Sequence, residues 1–175
     1  MDGAMTKAPL GGEKTGKNPT DRAKSGVKRE AKLTLDKVLT EGHGIPIALT
    51  VERANCHDKR LVEGTLRSIV IRRPKVSNRK RQNMLMDKGY DYTDTRQLVS
   101  HWGYTAHIKA RGEEVEEKRR VPGYRARRWV VERTHSWMNR FRRLLVRWEK
   151  KVANYLAMLH FACALITFRA IRLFG

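Results

Sequence analysis

The sequence predicts an α/β protein in which helices pack against a mixed β-sheet. Its 175 residues are enough for one domain with a substantial core and too few for two large ones. A hydrophobic fraction of 40% with 32% charged residues is typical of a globular chain. Segments follow in the order strand, strand, helix, strand, helix, strand, helix, helix, and no internal repeat is visible.

The first half of the chain predicts an arm, a hairpin and a helix. Residues 1–31 are rich in Gly, Lys, Thr, Asp and Pro without hydrophobic periodicity, which predicts a mostly extended or mobile arm. Residues 32–54 have the character of two strands joined by a turn at residues 41–44, where glycines can take positive φ. Residues 57–71 carry apolar side chains at helical spacing, with Asp58 as a candidate cap.

The middle of the chain predicts two further strands around a short helix. The stretch NMLMDKGYD, residues 83–91, indicates a buried strand that delivers Asp87 at its end. Asp87 is either a ligand or an ordinary turn residue, since DKG is also good turn chemistry. A helix is expected over residues 93–103, with Thr93 as its cap and Gly103 as its stop, and the following YTAHIKA reads as a strand.

After a charged loop, a long helix is expected over about residues 125–148. Its core-facing stripe is predicted to consist of Val130, Trp137, Phe141, Leu144, Leu145 and Trp148. Glu132 lies on the opposite, polar side of this helix. Two interpretations remain open for it: an ordinary surface ion pair with Arg128 or Arg133, or a functional carboxylate surrounded by guanidinium groups.

The last helix, about residues 152–172, contains the longest apolar run, YLAMLHFACALITF. The run is shorter than a membrane span requires and is interrupted by His160, so a buried helix is predicted. Cys56 and Cys163 are far apart and without CxxC spacing, which argues against a disulfide framework or zinc site. The beginning of the sequence has no signal-peptide pattern, and a cytoplasmic location is expected.

A net charge of +20 predicts a polyanionic partner. The basic residues are spread over several segments, which favours nucleic acid over a cationic membrane-surface protein. Residues 118–151 contain thirteen Lys or Arg and two acidic residues, a net charge of +11. Binding to phosphates along such a stretch should weaken steeply with salt.

Several stretches resemble DDE-type insertion-sequence transposases of the IS-five-like branch. They are MDGAMTKAPLGGEKTG, NPTDRAKSGVKR, EGHGIPIALTVERANCHD, LMDKGYDY, YRARRWVVERTHSWMNRFRRLLVRWEKK and NYLAMLHFACALI. The most specific match is an arginine, three residues and a glutamate ahead of a basic tract, here Arg128 and Glu132. Asn139 departs from the family pattern, because a basic residue usually stands seven positions after the glutamate. His57-Asp58 resembles a family landmark, to which a structural role is assigned.

The resemblance implies a ribonuclease-H-like fold in which Asp2, Asp87 and Glu132 hold two Mg²⁺ ions, with Mn²⁺ as a substitute. The implied chemistry is in-line attack of water, and then of a DNA 3′-hydroxyl, on phosphodiesters. Double-stranded DNA, both transposon ends and target, is the implied substrate. The expected DNA-binding residues are Arg125, Arg127, Arg128, Arg133, Asn139, Arg140, Arg142 and Arg143.

Relatives carry an N-terminal helical DNA-binding region, which is expected to be absent here. The first strand is expected to be largely missing, leaving the arm to carry the first acidic motif and residues 32–175 to form the catalytic domain. The implied partner is a second copy or a full-length transposase, in a bacterial, nucleoid-associated setting. Two alternatives remain: an inactive truncated remnant that binds DNA non-specifically, and an unrelated basic RNA-binding protein.

Overall fold

The computed structural model describes residues 1–17, 32–75, 77, 81–108, 119–120 and 129–173. The strands are β1 (Asp2–Lys7), β2 (Gly16–Lys17), β3 (Lys32–Thr40), β4 (Pro46–Arg53), β5 (Gln82–Met86) and β6 (Tyr104–Ile108). The α-helices are α1 (Val62–Arg67), α2 (Thr93–His101), α3 (Trp129–Met138), α4 (Arg142–Leu145) and α5 (Val152–Leu173). Short 3₁₀ turns occupy Asp58–Leu61 and Lys88–Tyr90.

The strands are both antiparallel and parallel, as predicted for a mixed α/β protein. β1 pairs antiparallel with β3, and β3 pairs antiparallel with β4. β5 and β6 pair parallel. The backbone nitrogen of Met1 donates to the carbonyl oxygen of Leu85 at 2.9 Å, which brings β5 beside the start of β1. The ribonuclease-H-like arrangement stays a prediction.

The first residues are extended, as expected, but they belong to the sheet. β1 pairs along its whole length with β3, from Asp2 opposite Val38 to Lys7 opposite Leu33. A first strand is therefore present, contrary to the expectation that it is largely missing. The pairing satisfies backbone groups that a mobile arm would leave to water. The strand could not be predicted from the sequence because β1 lacks an alternation of apolar and polar residues. Residues 18–31 lie outside the described part of the chain.

The predicted hairpin of β3 and β4 is confirmed. Its turn is held by the Glu41 carboxylate, whose Oε1 accepts hydrogen bonds from the backbone nitrogens of His43 at 2.6 Å and Ile45 at 3.0 Å. Gly44 has φ +88°, a conformation that glycine adopts without a steric penalty.

Neighbouring residues of β3 point to opposite faces of the sheet and enter different cores. Leu39 joins a core that includes Val62 and Leu66 of α1, Val99 of α2 and the buried methionines of β5. Val38 joins a second core built from Leu49, Val51, Met138, Leu144, Tyr155, Leu159, Ala162 and Ile166. Helices therefore cover both faces, which is the layered packing expected of an α/β protein.

The predicted long helix of residues 125–148 is wrong beyond Met138. There α3 ends in a turn, and after the single turn of α4 the chain runs alongside β1, where Val146 bridges Lys7 and the Arg147 nitrogen donates to the Lys7 carbonyl at 2.7 Å. Pairing with β1 replaces continuation of the helix. Leu145 and Trp148 are consequently about half exposed instead of lying on a core stripe.

The first predicted helix is shorter than expected and differs in its cap. Only the 3₁₀ turn and α1 form within residues 57–71. His57 caps the turn, because its side chain accepts a hydrogen bond from the Lys59 nitrogen at 3.3 Å. Asp58, expected as the cap, instead pairs with Lys37.

The helix predicted over residues 93–103 is confirmed as α2, although its start differs. Thr93 is its first helical residue and not the cap, and the capping position, Tyr92, makes no side-chain capping hydrogen bond. Gly103, with φ +78°, follows the end of the helix as predicted.

The final helix was predicted to be buried, and one side of it is. Tyr155, Leu159 and Ala162 lie in the core, whereas Phe161 and Phe168 are 62% and 52% exposed. By length and composition the helix could cross a membrane, at a mean hydropathy of 1.4, but the core helix of a soluble protein passes the same test.

Candidate active site

A backbone hydrogen bond links the segments that carry Asp2 and Asp87, which belong to two separate sheets. Asp2 opens β1 and is half-buried, and its Oδ1 accepts a hydrogen bond from the Gly3 nitrogen at 2.8 Å. Asp87 follows β5 directly, as the apolar run predicted, and its exposed carboxylate accepts from the Lys88 nitrogen at 2.7 Å. The Met1 nitrogen, next to Asp2, donates to the carbonyl oxygen of Leu85, two residues before Asp87.

The hydroxyl of Tyr90, at the end of the Asp87 turn, lies close to several carboxylates. Burial raises the pKa of Tyr90 far above its usual value. Three carboxylates raise this pKa further, those of Asp58, Asp2 and Asp87. The Lys37 ammonium group, which donates to this hydroxyl, also lies 2.6 Å from Oδ1 of Asp58.

Helix α3 carries Glu132 and is fixed to the β3–β4 turn. The Thr134 hydroxyl, fully buried, lies 2.5 Å from the Gly44 carbonyl oxygen, and the Arg133 guanidinium donates to the His43 carbonyl. A Cβ atom on Gly44 would lie 3.2 Å from the Thr134 hydroxyl oxygen, so the helix rests directly on the turn. The backbone of Glu132 is held by these contacts.

Glu132 is exposed, and among the described residues its carboxylate forms no ion pair. His135 lies one helical turn after it on α3 and is partly buried. Burial lowers the pKa of His135, and the Asp2 carboxylate opposes that shift. Helix α3, which carries Glu132, packs against β1 and β3.

The donor set suits a hard divalent cation. Within the described residues, no three His, Cys, Asp or Glu side chains are gathered tightly enough to hold a metal ion on their own. Mg²⁺ is usually held by one or two carboxylates together with water and substrate phosphate, and not in an all-protein cage. A joint metal site of Asp2, Asp87 and Glu132 stays a prediction.

The predicted DNA-binding residues fall into three groups. Arg125, Arg127 and Arg128 lie outside the described residues. Asn139, Arg140 and Arg142 are exposed in the turn after α3 and at the start of α4. Arg143 pairs with Glu149 at 2.6 Å, and Arg133 is half-buried with its guanidinium 4.8 Å from the centre of the Trp137 ring. The described arginines best placed to meet DNA are thus Arg140 and Arg142.

Comparison with known proteins identifies the family. A family model described as "Transposase DDE domain" matches residues 2–167. The chain belongs to the DDE transposase family. It is 33% identical over 174 residues to "Putative transposase for insertion sequence element IS402" of Burkholderia cepacia, covering 93% of this chain and 72% of that protein. No solved structure matches it.

DDE-type insertion-sequence transposases generally bind DNA and generally use divalent metal ions. The family match includes the predicted arm from Asp2 onwards, and the division of the chain at residue 31 stays a prediction.

Four residues near the predicted aspartates could not be assigned from the sequence: Lys37, Asp58, Tyr90 and His135. For Asp58, the unexpected feature is its ion pair with Lys37. A lysine inside the apolar strand KLTLDKVLT and the His-Asp pair ahead of the first helix were the available signals. Neither signal reveals its partners, because those partners come from distant parts of the sequence.

Proposed function

We propose that this transposase-family chain catalyses Mg²⁺-dependent DNA strand cleavage and strand transfer, with Asp2, Asp87 and Glu132 as the metal-binding carboxylates. One observation carries the proposal. The Met1 nitrogen, next to Asp2, donates to the carbonyl oxygen of Leu85, two residues before Asp87, and helix α3, which carries Glu132, packs against β1. These contacts support a common location for the three carboxylates.

The reaction needs no protein nucleophile. In cleavage, the oxygen of water bonds to phosphorus as the bond from phosphorus to the 3′-oxygen breaks, which leaves a 3′-hydroxyl and a 5′-phosphate. In strand transfer, that hydroxyl attacks a target phosphodiester in the same way. Bound divalent ions would supply activation of the attacking oxygen and stabilisation of the leaving oxygen. The chain's own contribution is to hold one carboxylate on the paired strand β1, one in the turn that follows β5 and one on the anchored helix α3, since such a site needs rigid support.

The exposed guanidinium groups of Arg140 and Arg142 are proposed to contact DNA phosphates beside this site. They follow α3 directly, so a duplex lying on them would pass close to Glu132. Contacts of this kind position the backbone without reading base sequence. Replacing both residues with Glu should weaken duplex binding and flatten its salt dependence, whereas the charge-matched replacement of Arg67 and Arg96 on α1 and α2 should not.

A second copy of the chain is the proposed protein partner, docked on the outer face of α5. Exposed residues recur there at alternating intervals of four and three: Ala157, Phe161, Ala164, Phe168 and Ile171. This is the spacing of a coiled-coil seam, and the alternation of small and large side chains lets a phenyl group of one helix fill the space beside an alanine of the other. No Lys or Arg lies between residues 152 and 168, so two such highly charged molecules can meet on this face.

Nicking of a supercoiled plasmid tests the proposed catalysis. The chain should nick DNA with Mg²⁺ or Mn²⁺ and not with EDTA, and Asp2→Asn, Asp87→Asn and Glu132→Gln should each abolish nicking while duplex binding persists. Glu63→Gln, an exposed carboxylate of α1 paired with Arg67 at 2.6 Å, is the matched control and should nick normally.

Undiminished cleavage by either the Asp87 or the Glu132 variant would exclude the assigned triad. Salt-sensitive binding without any metal-dependent cleavage by the unaltered chain would instead support a DNA-binding remnant. Equal affinity for RNA and duplex DNA would favour the RNA-binding alternative.

A further inference from the structure

Strand β3 carries a lysine whose side chain is almost completely buried. Lys37 is 1% exposed, although lysine is among the residues least often buried. Its ammonium group lies 2.6 Å from Oδ1 of Asp58 and donates a hydrogen bond to the hydroxyl of Tyr90. In the β1–β3 register it stands opposite Gly3, one position from the Asp2–Val38 pair.

Stability alone is a weak reason for burying such a charge. Removing an ammonium from water costs several kcal/mol even after relaxation, and a buried ion pair can often be replaced by apolar side chains without loss of stability. An apolar residue on β3 would therefore serve the core equally well. The position of Lys37 among its partners indicates a different role.

The partners of Lys37 connect it to the proposed catalytic segments. Tyr90 ends the 3₁₀ turn that Asp87 begins, so its hydrogen bond with Lys37 ties this turn to β3. β3 in turn pairs with β1, which carries Asp2. Asp58 completes the contact from the turn before α1. One ammonium group thus joins the strand next to Asp2 and the turn that presents Asp87.

The charge of Lys37 also suits this location. The carboxylates of Asp2, Asp58 and Asp87 all act on the Tyr90 hydroxyl, which Lys37 contacts directly. Carboxylates that share a small region repel one another when both are ionised. A fixed cation reduces this repulsion.

We propose that Lys37 is a positioning residue for the transposase reaction, which holds the Asp87 turn against β3, the strand paired with β1, through Tyr90 and Asp58 so that the aspartates meet the same metal ions. This inference rests on the proposed function, because it concerns the carboxylates assigned there. Lys37 itself touches neither DNA nor metal and acts through its partners.

Lys37→Met and Lys37→Arg test the proposal against a matched control, Lys59→Met. Lys59 makes the same kinds of contact, an ion pair with Asp94 at 2.5 Å and a ring contact with Tyr92 at 4.8 Å, but its side chain is 37% exposed. Urea unfolding of each variant shows whether it folds. Cleavage rates and half-saturating DNA concentrations are then measured. Mn²⁺ binding to the chain is followed by calorimetry both without DNA and with a short duplex, whose own Mn²⁺ uptake is subtracted.

Lys37→Met should lower the maximal cleavage rate about a hundredfold, the usual cost of a small displacement of a catalytic group, with little change in half-saturating DNA. Its Mn²⁺ affinity should fall about tenfold, as for other residues that orient metal ligands. Lys37→Arg should recover part of both, and Lys59→Met should match the unaltered chain. Tyr90→Phe, which removes only the hydroxyl, should also lower the maximal cleavage rate and the Mn²⁺ affinity. This variant replaces Lys37→Met in the test if Lys37→Met does not fold.

Unchanged or tighter Mn²⁺ binding by the folded Lys37→Met or Tyr90→Phe chain would overturn the positioning role. Because this measurement needs no cleavage, it tests Lys37 even if the unaltered chain proves inactive. Inactivity of the unaltered chain would count against the proposed function and not against Lys37. Loss of Mn²⁺ affinity in Lys59→Met as well would show that the effect does not depend on the buried contact.

Discussion

Gly44→Ala should destabilise the protein by an amount that follows from its surroundings. The residue has φ +88°, where an L side chain costs about 1–2 kcal/mol. The new methyl group would lie 3.2 Å from the Thr134 hydroxyl oxygen and 3.3 Å from the Val130 carbonyl oxygen. One of these atoms is main chain and the other sits on a short side chain, so α3 must move slightly, at a further cost of about 1–2 kcal/mol for overpacking. The expected total is roughly 2–4 kcal/mol of unfolding free energy.

Urea unfolding followed by tryptophan fluorescence measures this loss as a change in midpoint at constant slope. Gly42→Ala is the control, because it lies in the same turn and a Cβ there meets nothing within 4 Å. It should leave stability unchanged or raise it by about 0.4–1 kcal/mol through the unfolded state. A loss below about 1 kcal/mol in Gly44→Ala, or equal losses in both variants, would refute the close packing of α3 on the turn.

Thr134→Val probes the same anchor without a backbone change. It preserves shape but removes the hydroxyl that bonds to the Gly44 carbonyl, which should cost about 1–3 kcal/mol because a buried acceptor loses its donor. Its effect should not add to that of Gly44→Ala, since both substitutions loosen one contact. Full additivity of the two losses in the double variant would show that they act separately.

Two further predictions concern α5. Burial raises the pKa of the Cys163 thiol to about 11. In a Cys56→Ser background, iodoacetamide should therefore label Cys163 at pH 8 roughly a hundredfold more slowly in the native protein than in urea. Comparable rates would mean that the thiol is not buried. The double substitution Phe161→Lys and Phe168→Lys should convert a dimer to a monomer, as measured by light scattering. Val70→Lys, at another exposed apolar position, should leave the dimer intact. An unchanged mass of the double variant would exclude α5 as the dimer face.

Features encoded by neighbouring residues could be predicted from the sequence. The apolar run before Asp87 correctly gave a strand with the carboxylate at its end. The glycines at residues 42 and 44 indicated the hairpin turn, and Gly103 indicated the end of α2. In each case the preference resides in a few adjacent side chains, so local pattern is sufficient.

Features decided by distant partners could not be predicted. The basic tract after Glu132 has helical spacing throughout, yet the chain leaves the helix because Val146 and Arg147 bond to Lys7 on β1. Nothing in the strand KLTLDKVLT indicates that Lys37 is buried, because its partner Tyr90 lies 53 residues away in the sequence. Tertiary contacts override local periodicity at both places.

Cleavage of the polypeptide by bound iron would test most directly whether the three carboxylates share one metal site. Fe²⁺ replaces Mg²⁺ in the DNA complex, and with ascorbate and peroxide it generates hydroxyl radicals that cut the backbone beside the ion. Mass spectrometry should find cuts around Asp2, Asp87 and Glu132 together, all suppressed by excess Mg²⁺ and all lost in Asp87→Asn. Cuts near only one of the three, or a pattern that survives in Asp87→Asn, would contradict a shared site.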